Sequence, residues 1–303
     1  MGSAFAKEPL STIVNCKDSG NAYYTSLRLS NDGNPYWVEW DENGAFFVDG
    51  NYYSNGSCQR SRTEDKHTYL VLKLNDSYII HNSWFQGGLI HSSDGRGEEW
   101  IQKVEVRLSY GDYFEPRLDV VNGNKVLLGN GKCLMIYDLY KGKNEKSCFE
   151  EIGTFGIWTA RFSLDGNHIV ASADFNTIIV KNLLSGDTKI FKQPSSATSF
   201  SPNGTEILSR YDKSLMILNK DTGTVKKKFD FQEIIRSAQF SPDSKSILLV
   251  MRDGRAITVD AVSGKKLFEI KHDRAIIAAI YGKSANTVFT VTGNGVGRTV
   301  TLY

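Results

Sequence analysis

A short motif recurs in the second half of the chain at a spacing of about 40 residues. Its three copies read Phe-Ser-Leu-Asp-Gly, Phe-Ser-Pro-Asn-Gly and Phe-Ser-Pro-Asp-Ser, and their phenylalanines, Phe162, Phe200 and Phe240, are 38 and 40 residues apart. A polar turn follows 12 or 13 residues after each phenylalanine, and a Ser-Gly or Thr-Gly turn comes after that. A fixed period of this length is typical of repeat architectures, whose units cannot bury a hydrophobic face alone.

Short apolar or β-branched runs fill the intervals between these turns. Examples are residues 178–180, 247–250 and 256–259, which are too short for helices and are bounded by turn residues. Each repeat therefore holds about four strands. A four-stranded unit of about 40 residues is the size of a β-propeller blade, so we expect an all-β fold built from antiparallel blades.

The repeats resemble the blades of WD40-like propellers. The Phe-Ser-Pro-Asp/Asn-Gly turn, the aspartate of the second turn and the Thr/Ser-Gly turn match that family over about half of the chain. The resemblance is to degenerate members, because the Gly-His and Trp-Asp pairs are absent, and Asn182, Asn219 and Asp260 end the third strands without a tryptophan. What the resemblance implies is a scaffold for protein binding.

The register extends toward the N-terminus and predicts seven blades. We place the ends of the first strands at seven anchors: Leu29, Leu74, Val121, Phe162, Phe200, Phe240 and Ile280. The last repeat is one strand short, and residues 11–16 form a spare strand before the first anchor. We therefore predict one domain over residues 1–303, a seven-bladed propeller closed by the N-terminal strand. The alternative is that residues 1–115 form a separate β domain beside a partial propeller.

Three long connections indicate which face of the propeller is functional. Residues 54–66, 83–88 and 109–116 exceed the length of the corresponding connections in later repeats. In an antiparallel blade the second-to-third connection and the connection to the next blade lie at the same end, and the register assigns all three loops to that end. Extra loop length on a rigid scaffold usually serves binding.

Aromatic residues and arginines supply the candidate contacts on this face. Of the 35 aromatic residues, 18 lie in the first 115 positions, and rings in glycine-flanked loops are candidate interface anchors because they bury much area at low entropic cost. The candidate binding residues are Trp84, Phe85, Tyr113, Phe114, Arg60, Arg62, Trp158, Tyr211 and Arg236. The alternative is that the loop rings fold back and plug the rim of the propeller.

The sequence contains no recognisable catalytic or metal-binding motif. The five histidines lack metal-ligand spacing, and there is no phosphate loop, so we predict no metal site and no cofactor. With 36 basic against 34 acidic residues, the net charge of +2 is too small to predict a nucleic-acid partner. An enzyme or carbohydrate binder that uses loop aromatics and acids such as Asp41 and Glu98 is the alternative.

Compartment and cysteine chemistry are linked predictions. No apolar run reaches the roughly 18 residues of a membrane span, and the N-terminal ten residues lack the pattern of a secretory signal, so we expect a cytoplasmic monomer. A secreted or translocated factor is the alternative if the natural start was replaced. Cys133 and Cys148 are centred on a predicted hairpin turn, and in the cytosol we expect them to remain two buried thiols rather than a disulfide.

Together these observations predict a non-catalytic scaffold. We expect it to bind a protein or peptide on the face that carries the three long loops.

Overall fold

The structure is a computed structural model that describes the strands within residues 11–121 and all of residues 125–138, 143–293 and 297–302. The fold is all-β, as the repeat predicts. The described residues form 28 strands and no helix, and the strands group into seven four-stranded antiparallel sheets. No helix long and apolar enough to cross a membrane occurs in this part of the chain.

The strands of the first three sheets follow one another along the chain. The N-terminal strand β1 spans Ser11–Val14. The three sheets are formed by β2 (Tyr24–Leu29), β3 (Pro35–Asp41), β4 (Gly44–Asp49) and β5 (Arg60–Arg62); β6 (Thr68–Leu74), β7 (Ser77–Asn82), β8 (Leu89–Ser93) and β9 (Trp100–Glu105); and β10 (Arg117–Val121), β11 (Lys125–Asn130), β12 (Cys133–Asp138) and β13 (Lys143–Cys148).

The fourth to sixth sheets repeat the same order, and the seventh differs in its last strand. Their strands are β14 (Ile157–Phe162), β15 (His168–Ala173), β16 (Thr177–Asn182) and β17 (Thr188–Lys192); β18 (Ala197–Phe200), β19 (Glu206–Tyr211), β20 (Ser214–Asn219) and β21 (Val225–Asp230); β22 (Ile235–Phe240), β23 (Ser246–Met251), β24 (Ala256–Asp260) and β25 (Lys266–Ile270); and β26 (Ile276–Tyr281), β27 (Thr287–Thr292) and β28 (Gly297–Thr301).

The N-terminal strand completes the seventh sheet. β1 pairs antiparallel with β28, with Ser11 opposite Val300 and Val14 opposite Gly297. The predicted spare strand over residues 11–16 is thus observed as a four-residue strand, at the outer position of the last sheet. The two ends of the chain are joined in one sheet by this pairing.

Hydrophobic cores lie between consecutive sheets. Along β23, Ile247 and Leu249 pack into the core shared with the fifth sheet, while Leu248 and Val250 pack into the core shared with the seventh. Successive side chains of a strand point to opposite faces, so a sheet buried on both faces needs a continuous apolar run. This explains why the central strands read as uninterrupted apolar segments, whereas outer strands such as β21 are exposed and rich in lysine.

The phenylalanine motif closes the turn between the first and second strands. Phe162, Phe200 and Phe240 are buried at the ends of β14, β18 and β22. The backbone amide of the following serine donates to the carbonyl of the residue that begins the second strand, and the serine hydroxyl accepts the amide of that same residue. Ser241 makes both bonds with Ser246. The predicted motif therefore has a hydrogen-bonding role at each of its three copies.

The anchor predicted at Ile280 is wrong by one residue. Tyr281 pairs with Val288 and is 1% exposed, and the amide of Gly282 bonds the carbonyl of Thr287 as the motif serines do. Tyr281 therefore takes the phenylalanine position, and its hydroxyl hydrogen-bonds Ser246 of the sixth sheet at 2.8 Å. Burial raises the pKa of this phenol to about 12.

The third turn of each repeat is capped by the residue that ends the third strand. Asn182, Asn219 and Asp260 each accept two backbone N–H bonds from the residues two and three positions later. Asn and Asp commonly stabilise turns in this way. The side chains of these three residues therefore hold the third turns of their repeats in place.

Each sheet has an end that we call the upper end, which carries the turn between its second and third strands and the connection to the next sheet. One backbone hydrogen bond recurs there between consecutive sheets, from the start of a first strand to the second turn of the preceding sheet. The donor and acceptor pairs are Ile157 to Gly131, Ser195 to Phe175, Ile235 to Asp212 and Ile276 to Gly254, at 2.7–2.9 Å.

The acceptor residues of this bond share a backbone conformation. Gly131, Phe175, Asp212 and Gly254 have φ values of 51°, 60°, 52° and 87°. A positive φ in the second turn thus accompanies each carbonyl that bonds the next sheet. Glycine adopts this conformation freely and aspartate tolerates it, but it is unusual for phenylalanine.

Cys133 and Cys148 form a disulfide, so the expectation of two buried thiols is wrong. The two residues lie directly opposite each other in β12 and β13, as the hairpin predicted, with a Cα–Cα distance of 4.0 Å. Cys148 is exposed. The register brings the sulfurs together, and the bond ties the outer strand of the third sheet to its neighbour.

Candidate functional site

The predicted binding residues fall into three groups in the structure. Trp84, Phe85, Tyr113 and Phe114 lie outside the described residues. Arg60 and Arg62 are described only through the backbone of β5, whereas Trp158, Tyr211 and Arg236 are described with their side chains. The last three lie in the fourth, fifth and sixth sheets, at or near the upper end of each.

The prediction of one uninterrupted loop over residues 54–66 is wrong. Residues 60–62 form β5, which pairs with β4 as the fourth strand of the first sheet. Arg60 and Arg62 are therefore strand residues. The rest of residues 54–66, and residues 83–88 and 109–116, lie outside the described residues.

Trp158 and Arg236 occupy equivalent positions in two different sheets. Trp158 is an extra residue in the register of β14 with β15, and Arg236 is the extra residue in β22. Tyr69 and Ile277 are the corresponding extra residues of β6 and β26. A β-bulge of this type locally breaks the alternation of a strand and redirects a side chain. The bulge therefore marks a variable position at the upper end of the first strands.

Phe175 is the centre of an aromatic cluster, formed by Phe155, Trp158, Phe175 and Tyr211. The ring of Phe175 lies 4.2 Å from that of Trp158, 6.0 Å from that of Phe155 and 6.5 Å from that of Tyr211, measured between centroids. The two longer separations are within the range of about 4.5–7 Å for favourable aromatic pairs, and the Trp158 ring lies closer still. The cluster spans two sheets, since Tyr211 ends β19 while the other three rings belong to the fourth sheet and its approach segment.

The cluster is open to solvent on one side. Phe155 is 53% exposed and Tyr211 is 40% exposed, while Trp158 and Phe175 are half-buried. Exposed large apolar groups that adjoin one another mark interaction sites more often than isolated ones do. The geometry provides two accessible rings on a packed aromatic base.

Asp174 fixes the segment that carries Phe155. Its carboxylate accepts the backbone N–H groups of Gly153 and Gly156, which flank that residue. Gly156 has a φ of 68°, and a Cβ atom at this position would lie 2.5 Å from the carbonyl oxygen of Gly131. The segment therefore requires glycine, and its two bonds to Asp174 hold Phe155 next to Phe175.

Arg236 lines a cavity that lies beside the first strands of the fourth, fifth and sixth sheets. The cavity has a volume of about 190 Å³. Arg161 of β14 and Arg210 of β19 also line it, together with hydroxyl residues that include Thr159 and Thr198. We call it the arginine cavity. It brings together three basic side chains from three sheets.

A separate polar network lies at the upper end between the sixth and seventh sheets. The Nη1 group of Arg298 lies 2.9 Å from Nδ1 of His272, whose Nε2 lies 2.8 Å from the Thr290 hydroxyl, and Nη2 of Arg298 donates to Asp273. Burial and the positive charge of Arg298 lower the pKa of His272. Because arginine only donates, Nδ1 accepts and Nε2 carries the proton. This neutral histidine ties the connection before β26 to β27 and β28.

Sequence reasoning missed four residues of these sites: Phe155, Phe175, Arg161 and Arg210. Phe175 stands in the second turn, where aligned repeats place aspartate or glycine, so the alignment of turns already contained a signal for it. Arg210 directly precedes the predicted Tyr211. Arg161 could not be singled out from the sequence, because basic residues are common in strands. Only the positions of the neighbouring sheets show that it lines the cavity.

Among the described residues, no three or more His, Cys, Asp or Glu side chains are arranged to hold a metal ion. No protein-family model matches the chain, and no curated protein matches it.

Proposed function

We propose that the seven sheets form one closed β-propeller of the WD40-like kind, and that the protein is a non-catalytic scaffold that binds a peptide segment of a partner protein. Two features support the ring. β2 of the first sheet contacts β26 of the last, and β1 is the outer strand of that last sheet. Closure leaves no sheet without a packed neighbour, which each two-sided apolar sheet requires.

The aromatic cluster is the observation that supports binding. Phe155 and Tyr211 expose apolar rings, and each of them contacts the half-buried ring of Phe175, which also packs against Trp158. Rigid aromatic side chains dominate the binding energy of protein interfaces, because they bury a large area and lose little conformational entropy. The rings of the cluster are thus already ordered by their mutual packing in the unbound protein.

The chemistry of the surface suggests the form of the partner segment. Two exposed rings on adjacent sheets form a short apolar strip, which an extended peptide covers with one or two apolar side chains. Arg236, exposed at the upper end two sheets beyond Trp158, is of the residue type that accompanies aromatic anchors at interfaces. The proposed ligand is therefore an extended peptide with an apolar anchor.

Selection from a displayed random-peptide library against the whole chain tests this proposal. We expect enriched peptides to share an apolar anchor, and their affinity to fall about tenfold or more for the Phe155→Ser, Tyr211→Ser double variant. The matched control is Leu184→Ser, Val262→Ser. Both residues are also highly exposed, at 78% and 67%, but lie in third turns at the opposite ends of their sheets.

Equal affinity of the double variant and the control would remove the cluster from the binding surface. A glycan array on the same three proteins separates the carbohydrate-binding alternative, because aromatic rings also stack on sugars. Sugar binding that is lost only in the Phe155→Ser, Tyr211→Ser variant would replace the peptide in the proposal.

The disulfide favours the exported alternative over a cytoplasmic location. Disulfides persist in oxidising compartments and are reduced in most cytosols, and Cys148 is exposed. We therefore propose that the protein works in an oxidising compartment. Alkylation of protein isolated from its natural source without reductant should leave Cys133 and Cys148 unlabelled. Quantitative labelling of both residues would restore the cytoplasmic prediction.

A further inference from the structure

The polar network of His272 and Arg298 lies in the sheet that joins the two ends of the chain. Arg298 stands in β28, where it is opposite Thr290 of β27 on one side and opposite Ile13 of β1 on the other. His272 lies in the connection between β25 and β26, at the upper end. The side-chain bonds of His272 therefore link this connection to two strands of the seventh sheet.

The geometry of the network requires a neutral imidazole. Nη1 of Arg298 lies 2.9 Å from Nδ1 of His272, and a guanidinium has only donors, so Nδ1 must accept. Nε2 then carries the single ring proton and donates it to the Thr290 hydroxyl at 2.8 Å. That hydroxyl donates in turn to the carbonyl oxygen of Arg298 at 3.4 Å. One protonation state of the ring thus satisfies both of its nitrogens.

A second proton on the imidazole is incompatible with this arrangement. It would attach to Nδ1 and point an N–H group at an N–H group of Arg298, so that a hydrogen bond is replaced by the repulsion of two cations. The side chain of Arg298 is only 16% exposed, and His272 is half-buried. Water therefore screens this repulsion less than it would at the surface.

Two charged groups of the described residues face the ring, and they act in opposite directions. Burial and the positive charge of Arg298 lower the pKa of His272, whereas the carboxylate of Asp273 and the backbone carbonyl of Lys271 raise it, and the net shift is downward. Other charged groups of the neighbouring elements are exposed or paired with one another. They are Arg252 and Arg274, which are exposed, and the pairs Asp253–Arg255 and Lys271–Glu269.

We propose that His272 and Arg298 form an acid-sensitive latch, which ties β28 to the connection before β26 at neutral pH and releases it when the imidazole takes up a proton. β1 depends on β28 for its pairing, so acid loosens the joint between the two ends of the chain. The latch does not involve the aromatic cluster, and the peptide proposal can fail while this one holds.

The direction of the pH dependence follows from proton linkage. A histidine in an opened seventh sheet binds a proton near its ordinary pKa of about 6.5, while the folded sheet holds the pKa of His272 lower. The latch therefore contributes its full stability above about pH 6.5, and this contribution is lost as the pH falls through the pKa of the folded state.

Titration of the His272 ring by NMR in the whole chain tests the electrostatic basis of the latch. We expect a pKa below the ordinary value of about 6.5. Asp273→Asn should lower this pKa further, because an attracting carboxylate is removed, and Arg298→Gln should raise it, because a repelling cation is removed. An ordinary or raised pKa in the unchanged protein, or shifts of the opposite sign in the two variants, would overturn the proposal.

Amide hydrogen exchange of β28, corrected for the intrinsic effect of pH on exchange, tests the structural consequence. Between about pH 7.5 and pH 5.0 we expect the protection of these amides to fall about fivefold or more in the unchanged protein, because the opened state takes up a proton that the folded state excludes. His272→Asn should remove this fall. The side-chain oxygen of asparagine takes the place of Nδ1 as an acceptor for Arg298 but does not titrate.

His168→Asn is the matched control for this exchange experiment. His168 is also half-buried and burial also lowers its pKa, but it begins β15 in the fourth sheet. This variant should keep the pH dependence of the β28 amides. Constant protection in the unchanged protein, an equal fall in His272→Asn, or a fall removed by His168→Asn would overturn the latch.

Discussion

Phe175 carries two roles in one residue. Its carbonyl bonds the next sheet through a positive φ of 60°, and its ring is the centre of the aromatic cluster. A bulky side chain in this conformation costs about 1–2 kcal/mol, which glycine at the same place avoids. The equivalent residues Gly131 and Gly254 meet the backbone requirement without strain. Retention of a phenylalanine here agrees with a binding role for its ring.

Glycine in the third turn is a residue-scale requirement that differs between repeats. Gly186 and Gly223 have similar φ values of 79° and 69°. A Cβ atom on Gly223 would lie 2.3 Å from the ring of Phe191 in the preceding sheet, whereas one on Gly186 has no described atom within 4 Å. Gly186 is therefore required only for its backbone conformation, whereas Gly223 is required for its conformation and also because a larger residue would clash with Phe191.

Alanine substitutions at these two glycines should separate the two demands. We expect Gly186→Ala to lower the free energy of unfolding by about 1 kcal/mol, from the conformational cost alone, and Gly223→Ala by about 3 kcal/mol, because the Phe191 ring must also move. Urea denaturation of both variants measures the difference. Equal losses would mean that the third turn does not pack against the preceding sheet as described.

At the scale of strands and turns, the sequence was most informative where local chemistry decides the structure. The ends of the first strands at Phe162, Phe200 and Phe240 were predicted because a repeated motif, its turn and the adjoining apolar runs all indicate the same positions. The position of Tyr281 was missed by one residue because this copy lacks the serine that defines the register elsewhere.

Two features were predicted less well from the sequence, each for its own physical reason. The three residues of β5 have no apolar alternation, and only their pairing with β4 makes them a strand. The Cys133–Cys148 pairing followed from the hairpin, but its oxidation state did not, because a facing cysteine pair has the same sequence pattern in either redox form.

At the scale of the whole molecule, both sites are assembled across sheets. Tyr211 lies 36 residues after Phe175 in the chain, yet their rings are neighbours because the second turns of consecutive sheets adjoin at the upper end. The arginine cavity likewise draws residues from three sheets. The repeat predicts that such residues share one end, but only packing distances show which of them meet.

Removal of residues 1–14 tests the proposed closure of the ring most directly, because it deletes β1 and retains Cys16. Amide hydrogen exchange, read strand by strand, compares the truncated chain with the whole one. The account predicts that the β28 amides that face β1 lose protection, that the first and last sheets become less stable together, and that the urea midpoint falls. Unchanged protection in β28 and an unchanged midpoint would contradict a ring closed by the N-terminal strand.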